Sequence, residues 1–174
     1  FMSWRGLFLV LGGLGVVLLG LALYALPESL PVERRNPEGF RRTGRDVAVL
    51  AKDRLFTGAT VAMAFGSMAM FGYLVMSSFV FQGQFRLSPT AYSVMFAVNS
   101  LGIMVAGRVN ATLVSRHPAG RLLAVALTIQ ILAAAAMVAG ALSGAGLWAV
   151  AIPTFVVVGI NGMIMPNSTG LALV

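Results

Sequence analysis

The side chains best suited to binding lie inside long apolar stretches. Ser67, Phe71, Leu74 and Ser78 recur at i, i+4, i+7 and i+11 and so share one helical face, with Met63 and Met70 beside them. Hydroxyls within an apolar helix need partners or water, while methionine and aromatic side chains repack around varied shapes. Such a face suits a pocket for apolar or amphipathic ligands. The alternative is ordinary helix–helix packing, the commoner role for any one of these residues. Thr154 and Asn161, seven residues apart, share a face of a later stretch that also carries Pro153, Gly159, Gly162 and Pro166. Prolines and glycines there either free backbone carbonyls at a binding site or merely kink a packing helix. Asn99 is an interhelical hydrogen bond or a cavity contact. The candidate substrate-binding set is therefore Met63, Ser67, Met70, Phe71, Ser78, Asn99, Thr154 and Asn161.

Other chemistry finds little support. All five acids, Glu28, Glu33, Glu38, Asp46 and Asp53, fall between Pro27 and Arg54 together with seven of the twelve basic residues. The only histidine, His117, sits in the turn-like run Ser115 to Arg121, and there is no cysteine. With no paired acids, no ligand spacing and no nucleophile–base set, neither a metal site, a catalytic residue nor an enzymatic role is expected. The net charge of +7 does not form a groove with interleaved aromatics, which argues against nucleic acid as a partner.

The elements that carry these residues follow from composition. The chain is 59% apolar and 10% charged, too little polar surface to cover a water-soluble fold. A bilayer core about 30 Å thick needs roughly 20 apolar helical residues, because unpaired backbone groups are not tolerated in hydrocarbon. Gly6–Leu26, Leu55–Phe81, Leu87–Gly107, Leu122–Leu142 and Leu147–Val174 meet that requirement. The expected fold is thus all-α integral membrane, with five transmembrane helices in a lipid bilayer. The first is longer than a signal-peptide core and lacks a cleavage pattern, so it reads as a span. Its apolar surface, with Tyr24 its only polar side chain, and that of the fourth, where only Thr128 and Gln130 are polar, predict peripheral positions. In the long loop, Thr43 to Asp46 resembles a capping box opening a short helix with Val47, Leu50 and Ala51 on its apolar face, either an interfacial helix or a frayed turn.

Alternating the loops across the membrane places Pro27–Arg54 and Arg108–Arg121 on one side with ten basic residues, against Arg5 and Arg86 on the other. The positive-inside rule makes the first side cytoplasmic, the N-terminus external and the C-terminus cytoplasmic. The glycosylation sequons at Asn110 and Asn167 then lie toward the cytoplasm and are set aside.

The junction Trp4-Arg5-Gly6-Leu7-Phe8 leads through the first span to Leu26-Pro27-Glu28-Ser29-Leu30-Pro31-Val32-Glu33-Arg34-Arg35. It resembles the sixth helix and central loop of major facilitator superfamily transporters, specifically the Bcr/CflA drug-resistance efflux family, with Ser29 in place of the usual threonine. Met165-Pro166-Asn167-Ser168-Thr169-Gly170-Leu171-Ala172-Leu173 is similar to the end of that family's tenth helix. The resemblance implies that the five spans are helices six to ten of a twelve-helix fold. Residues 1–26 would be the last helix of the N-terminal bundle, 27–54 a cytoplasmic inter-domain loop, and 55–174 the first four helices of the C-terminal bundle. It also implies a multi-pass protein of the cell inner membrane, with the remaining helices of the intact transporter as partners. That transporter would export drug-like molecules by proton antiport, driven by a proton gradient and needing no cofactor. No span here holds an acid, so the coupling group is expected elsewhere. Carriage of a specific polar metabolite, or a non-transporting scaffold role, are the alternatives.

Overall fold

The computed structural model describes residues 4–25, 44 and 47–173, all of whose regular elements are helices. Among the described residues five helical stretches are long and apolar enough to cross a membrane: Arg5–Ala25, Arg54–Gln84, Pro89–Leu113, Ala119–Leu142 and Leu147–Ala172. The chain divides into two compact units, Phe1–Gly44 and Arg45–Val174. In the first unit, helix α1, Trp4–Ala25, is apolar on every side, and Leu9, Val16 and Leu23 are all exposed.

The second unit begins with a helical turn at residues 47–50, where Val47 and Leu50 are exposed. Thr43 and Asp46, the two ends of the expected capping box, lie outside the described residues, as does most of Pro27–Arg54. Helix α2, Arg54–Ser78, starts where Asp53 Oδ1 accepts from the amides of Leu55 and Phe56 at 2.7 and 3.0 Å. Those donors have no partner within the helix, so the carboxylate fixes its first turn. A π-helical turn at Phe79–Gln84 prolongs α2, and the chain then reverses through Arg86 with φ of 55°.

Helix α3, Pro89–Leu113, opens with Ser88 accepting from Ala91 N at 3.2 Å and with proline in its first turn. Helix α4 is Ala119–Leu142. Both are longer than the sequence suggests: Arg108 and Asn110 remain helical, and Arg121 lies in the first turn of α4. A span's charged end need not leave the helix, since backbone bonding continues into the interface after hydropathy fades. The fifth span is two helices, α5 at Leu147–Gly159 and α6 at Asn161–Ala172, interrupted at Ile160.

Small residues decide how these helices meet. Without a hydrophobic drive between helices in lipid, close backbone approach and dispersion hold them together. Gly66 of α2 lies against Ile164 and Asn161, and a methyl at Gly162 of α6 would strike the carbonyl of Ile103 in α3. One core joins α2, α4 and α6 through Ala62, Leu122, Leu123, Ala126, Met163 and Ile164. A second gathers Val150 and Ala151 around Phe81, with Tyr92, Met95 and Met137 packed on it.

The fourth span is only half peripheral. Ile131 and Leu132 face outward, but Leu122, Leu123, Ala126 and Gln130 are buried. Spacing of i, i+1, i+4 and i+8 puts them on one face, which uniform hydropathy concealed.

Candidate functional site

Helix α2 presents two different flanks on either side of its buried stripe of Ala59, Ala62, Gly66 and Ser77. On one flank, α2 diverges from α5 and α4 to leave a cavity of about 690 Å³, lined mainly by apolar side chains including Tyr73, Met76, Phe81, Phe85 and Met137. Among the described residues no charged side chain lines it. Its polar groups are mostly committed to the protein. Tyr73 OH accepts from Asn99 Nδ2 at 3.0 Å, Ser77 Oγ and Tyr92 OH share a bond of 2.8 Å, and Thr154 Oγ1 donates to Val150 O at 2.7 Å. Tyr73 also stacks on Phe96, with ring centroids 5.7 Å apart.

The other flank carries the face picked out by sequence. Met63, Ser67 and Met70 are half-buried, while Phe71, at 66% exposed, and Ser78 are open. Ser67 donates to Met63 O at 2.9 Å, Ser78 accepts from Gln82 at 2.9 Å, and Met63 Sδ faces Thr169 Oγ1 at 3.9 Å. Thus the eight candidate residues are not gathered into one pocket. Thr154 alone lines the cavity, Asn99 is enclosed as an interhelical donor, and Asn161 is buried at the helix interruption. The second and fifth spans meet where Gly66 lies against Asn161 and Ile164. The smallest residues take the contact because they admit the neighbouring backbone, which turns the serine–phenylalanine face aside.

Sequence reasoning passed over Tyr73, Tyr92, Gln130 and the asparagine pair Asn110–Asn167. Tyr73 and Ser77 continue the small-residue stripe of Ala62 and Gly66 at helical spacing, a signal available in the sequence. The sequon asparagines are bonded to each other at 2.6 Å and buried, which removes both as glycan acceptors in the folded chain.

Comparison with known proteins gives these helices a family. The sequence profile of the Major Facilitator Superfamily matches residues 1–174. The chain belongs to this superfamily. It is therefore a multi-pass membrane protein related to transporters, as the Bcr/CflA resemblance implies. Relatives from the superfamily include the uncharacterized MFS-type transporter YdgK of Bacillus subtilis, 27% identical over 177 residues, covering 99% of this chain and 43% of that protein. The bicyclomycin resistance protein homolog of Haemophilus influenzae is 27% identical over 173 residues, covering 99% of this chain and 44% of that protein. The chain thus spans less than half the length of these curated relatives. No solved structure matches it.

Proposed function

We propose that this chain supplies part of a secondary transporter that exports amphipathic small molecules by alternating access, coupled in the whole protein to a proton gradient. The observation that carries this reading is the open flank of α2, where Met63, Ser67, Met70, Phe71 and Ser78 combine adaptable apolar surface with two hydroxyls and no charge. Adaptable apolar surface accommodates varied ligands, a charge-free wall suits neutral ones, and the face of the Phe71 ring also attracts a cation. The likeness to a bicyclomycin resistance homolog supports drug efflux over metabolite uptake. In this reading, α1 ends the N-terminal bundle, residues 27–54 form the cytoplasmic link, and α2 to α6 begin the C-terminal bundle, whose flank forms one wall of a cavity between two repeats. The membrane is the cell inner membrane, with the N-terminus external.

The test is export from cells expressing the full-length transporter. Accumulation of ethidium and susceptibility to several chemically distinct drugs should fall relative to cells carrying an empty vector, and collapse of the proton gradient should abolish the difference. Unchanged accumulation and susceptibility at confirmed membrane expression refute it.

A further inference from the structure

The interruption at Ile160 leaves a backbone carbonyl that two side-chain amides occupy. Val157 O accepts from Asn161 Nδ2 at 2.8 Å and from Gln130 Nε2 at 3.4 Å, and Val158 O accepts from the same Asn161 nitrogen at 3.4 Å. Helices bend where a side chain enters the i to i−4 ladder. Gln130 reaches this point from α4, where it is the one buried polar side chain among the described residues. Asn161 Oδ1 is also buried and has no hydrogen-bond partner among the described residues, so this amide acts at the break through its donor alone.

Both half-helices pack on α3 and α4, and they differ in their relation to α2. Beyond the break, α6 is pinned: Ile164 lies on Gly66, and Gly162 is seated against Ile103 and Gly107 of α3. Before the break, α5 lies on α4, where Gly140 is so close to Ala149 that a methyl would meet its backbone, and on α3, where Phe155 and Gly159 meet Gly102. Between α5 and α2 lies the 690 Å³ cavity, whereas α6 and α2 are in direct contact. Open space toward α2 therefore lies beside α5 and not beside α6.

We propose that Gln130 is a positioning residue for transport: by holding the Val157 carbonyl it sets one of two orientations of α5, which pivots at Ile160 against a fixed α6 and so widens or narrows the gap to α2. The inference deepens the transporter reading and rests on it for the consequence, not for the pivot. In the alternative orientation the carbonyl returns to a regular backbone donor and Gln130 lets go. Hinge residues of this kind absorb a backbone change at the end of an element.

The experiment uses the full-length transporter in lipid, with spin labels at the exposed positions Trp148 and Phe79, on α5 and the π turn, and a reference pair at exposed Leu55 and Leu173. Without added ligand, the Trp148–Phe79 distances should fall into two populations and the reference pair into one. Gln130→Met, close in volume but unable to donate, should shift the first pair toward one population. It should also lower maximal ethidium export about tenfold while apparent KM stays within about twofold, at equal membrane abundance. A single narrow Trp148–Phe79 distribution overturns the proposal, as does a two-peaked one indifferent to Gln130→Met. Should that variant fail to insert, the two label pairs in the otherwise native protein still decide. Distances that respond in a protein exporting nothing retain the pivot and remove the efflux reading, so the two fail separately.

Discussion

Asn167 Nδ2 donates to Asn110 Oδ1 at 2.6 Å, joining α6 to α3 through two side chains that are 2% and 5% exposed. The same nitrogen donates to Met163 O at 2.8 Å, so the amide is anchored to its own helix while it bridges to the next. Buried between helices, such a bond has little water to compete with it, yet the unfolded helix in a membrane also finds partners, which keeps its net worth modest.

Replacing either asparagine by leucine should destabilise the helix pair, and the double replacement should cost less than the two singles together. A coupling of about 0.6 to 1.7 kcal/mol is expected from a double-mutant cycle on unfolding in lipid or micelles. Strict additivity would mean that the bond contributes nothing beyond the packing of each side chain.

Gly162 provides a steric test of the contact between α6 and α3. Gly162→Ala should lower stability by about 1 to 3 kcal/mol, because the added methyl forces the Ile103 backbone away. Gly58→Ala, where no atom lies within 4 Å of the new methyl, should be neutral or slightly stabilising. Thermal or denaturant unfolding of the two purified variants gives the comparison, and equal effects would contradict the close approach.

The existence of the spans was legible because bilayer thickness demands long uncharged runs, and each of the five runs contains a helix. Which side of each helix is enclosed was far less legible. In a water-soluble helix the buried face is marked by polarity, but here Phe71 outside and Phe81 inside are equally apolar, so periodicity in hydropathy is almost silent. Gly66 and Gly162 carried the packing signal instead, through size. The break at Ile160 was foreshadowed by Gly159, Gly162 and the flanking prolines. Its partner Gln130 was not, because a lone amide on an apolar helix names no acceptor until the neighbouring helix is placed.

The distribution of basic residues predicts an orientation in the membrane. A cysteine at Gly39 or Ala119 should react with an impermeant reagent only from the cytoplasm, and one at Gly83 or Gly144 only from outside. The chain has no native cysteine to confuse the readout. Labelling of Gly39 in intact cells would invert the assignment.

Substitution of Phe71 in the full-length transporter tests the proposed substrate face most directly. Phe71 is 66% exposed on the flank of α2 away from the cavity, so truncation removes little packing within these helices. Drug susceptibility is to be measured across several chemically distinct compounds and normalised to membrane-inserted protein, with Leu18→Ala and Leu19→Ala in α1 as controls. If this flank contacts substrate, Phe71→Ala changes the pattern of compounds exported while abundance stays nearly constant, and the controls leave the pattern alone. A uniform loss across all compounds that tracks protein level would contradict the assignment and remove the α2 flank from the substrate path.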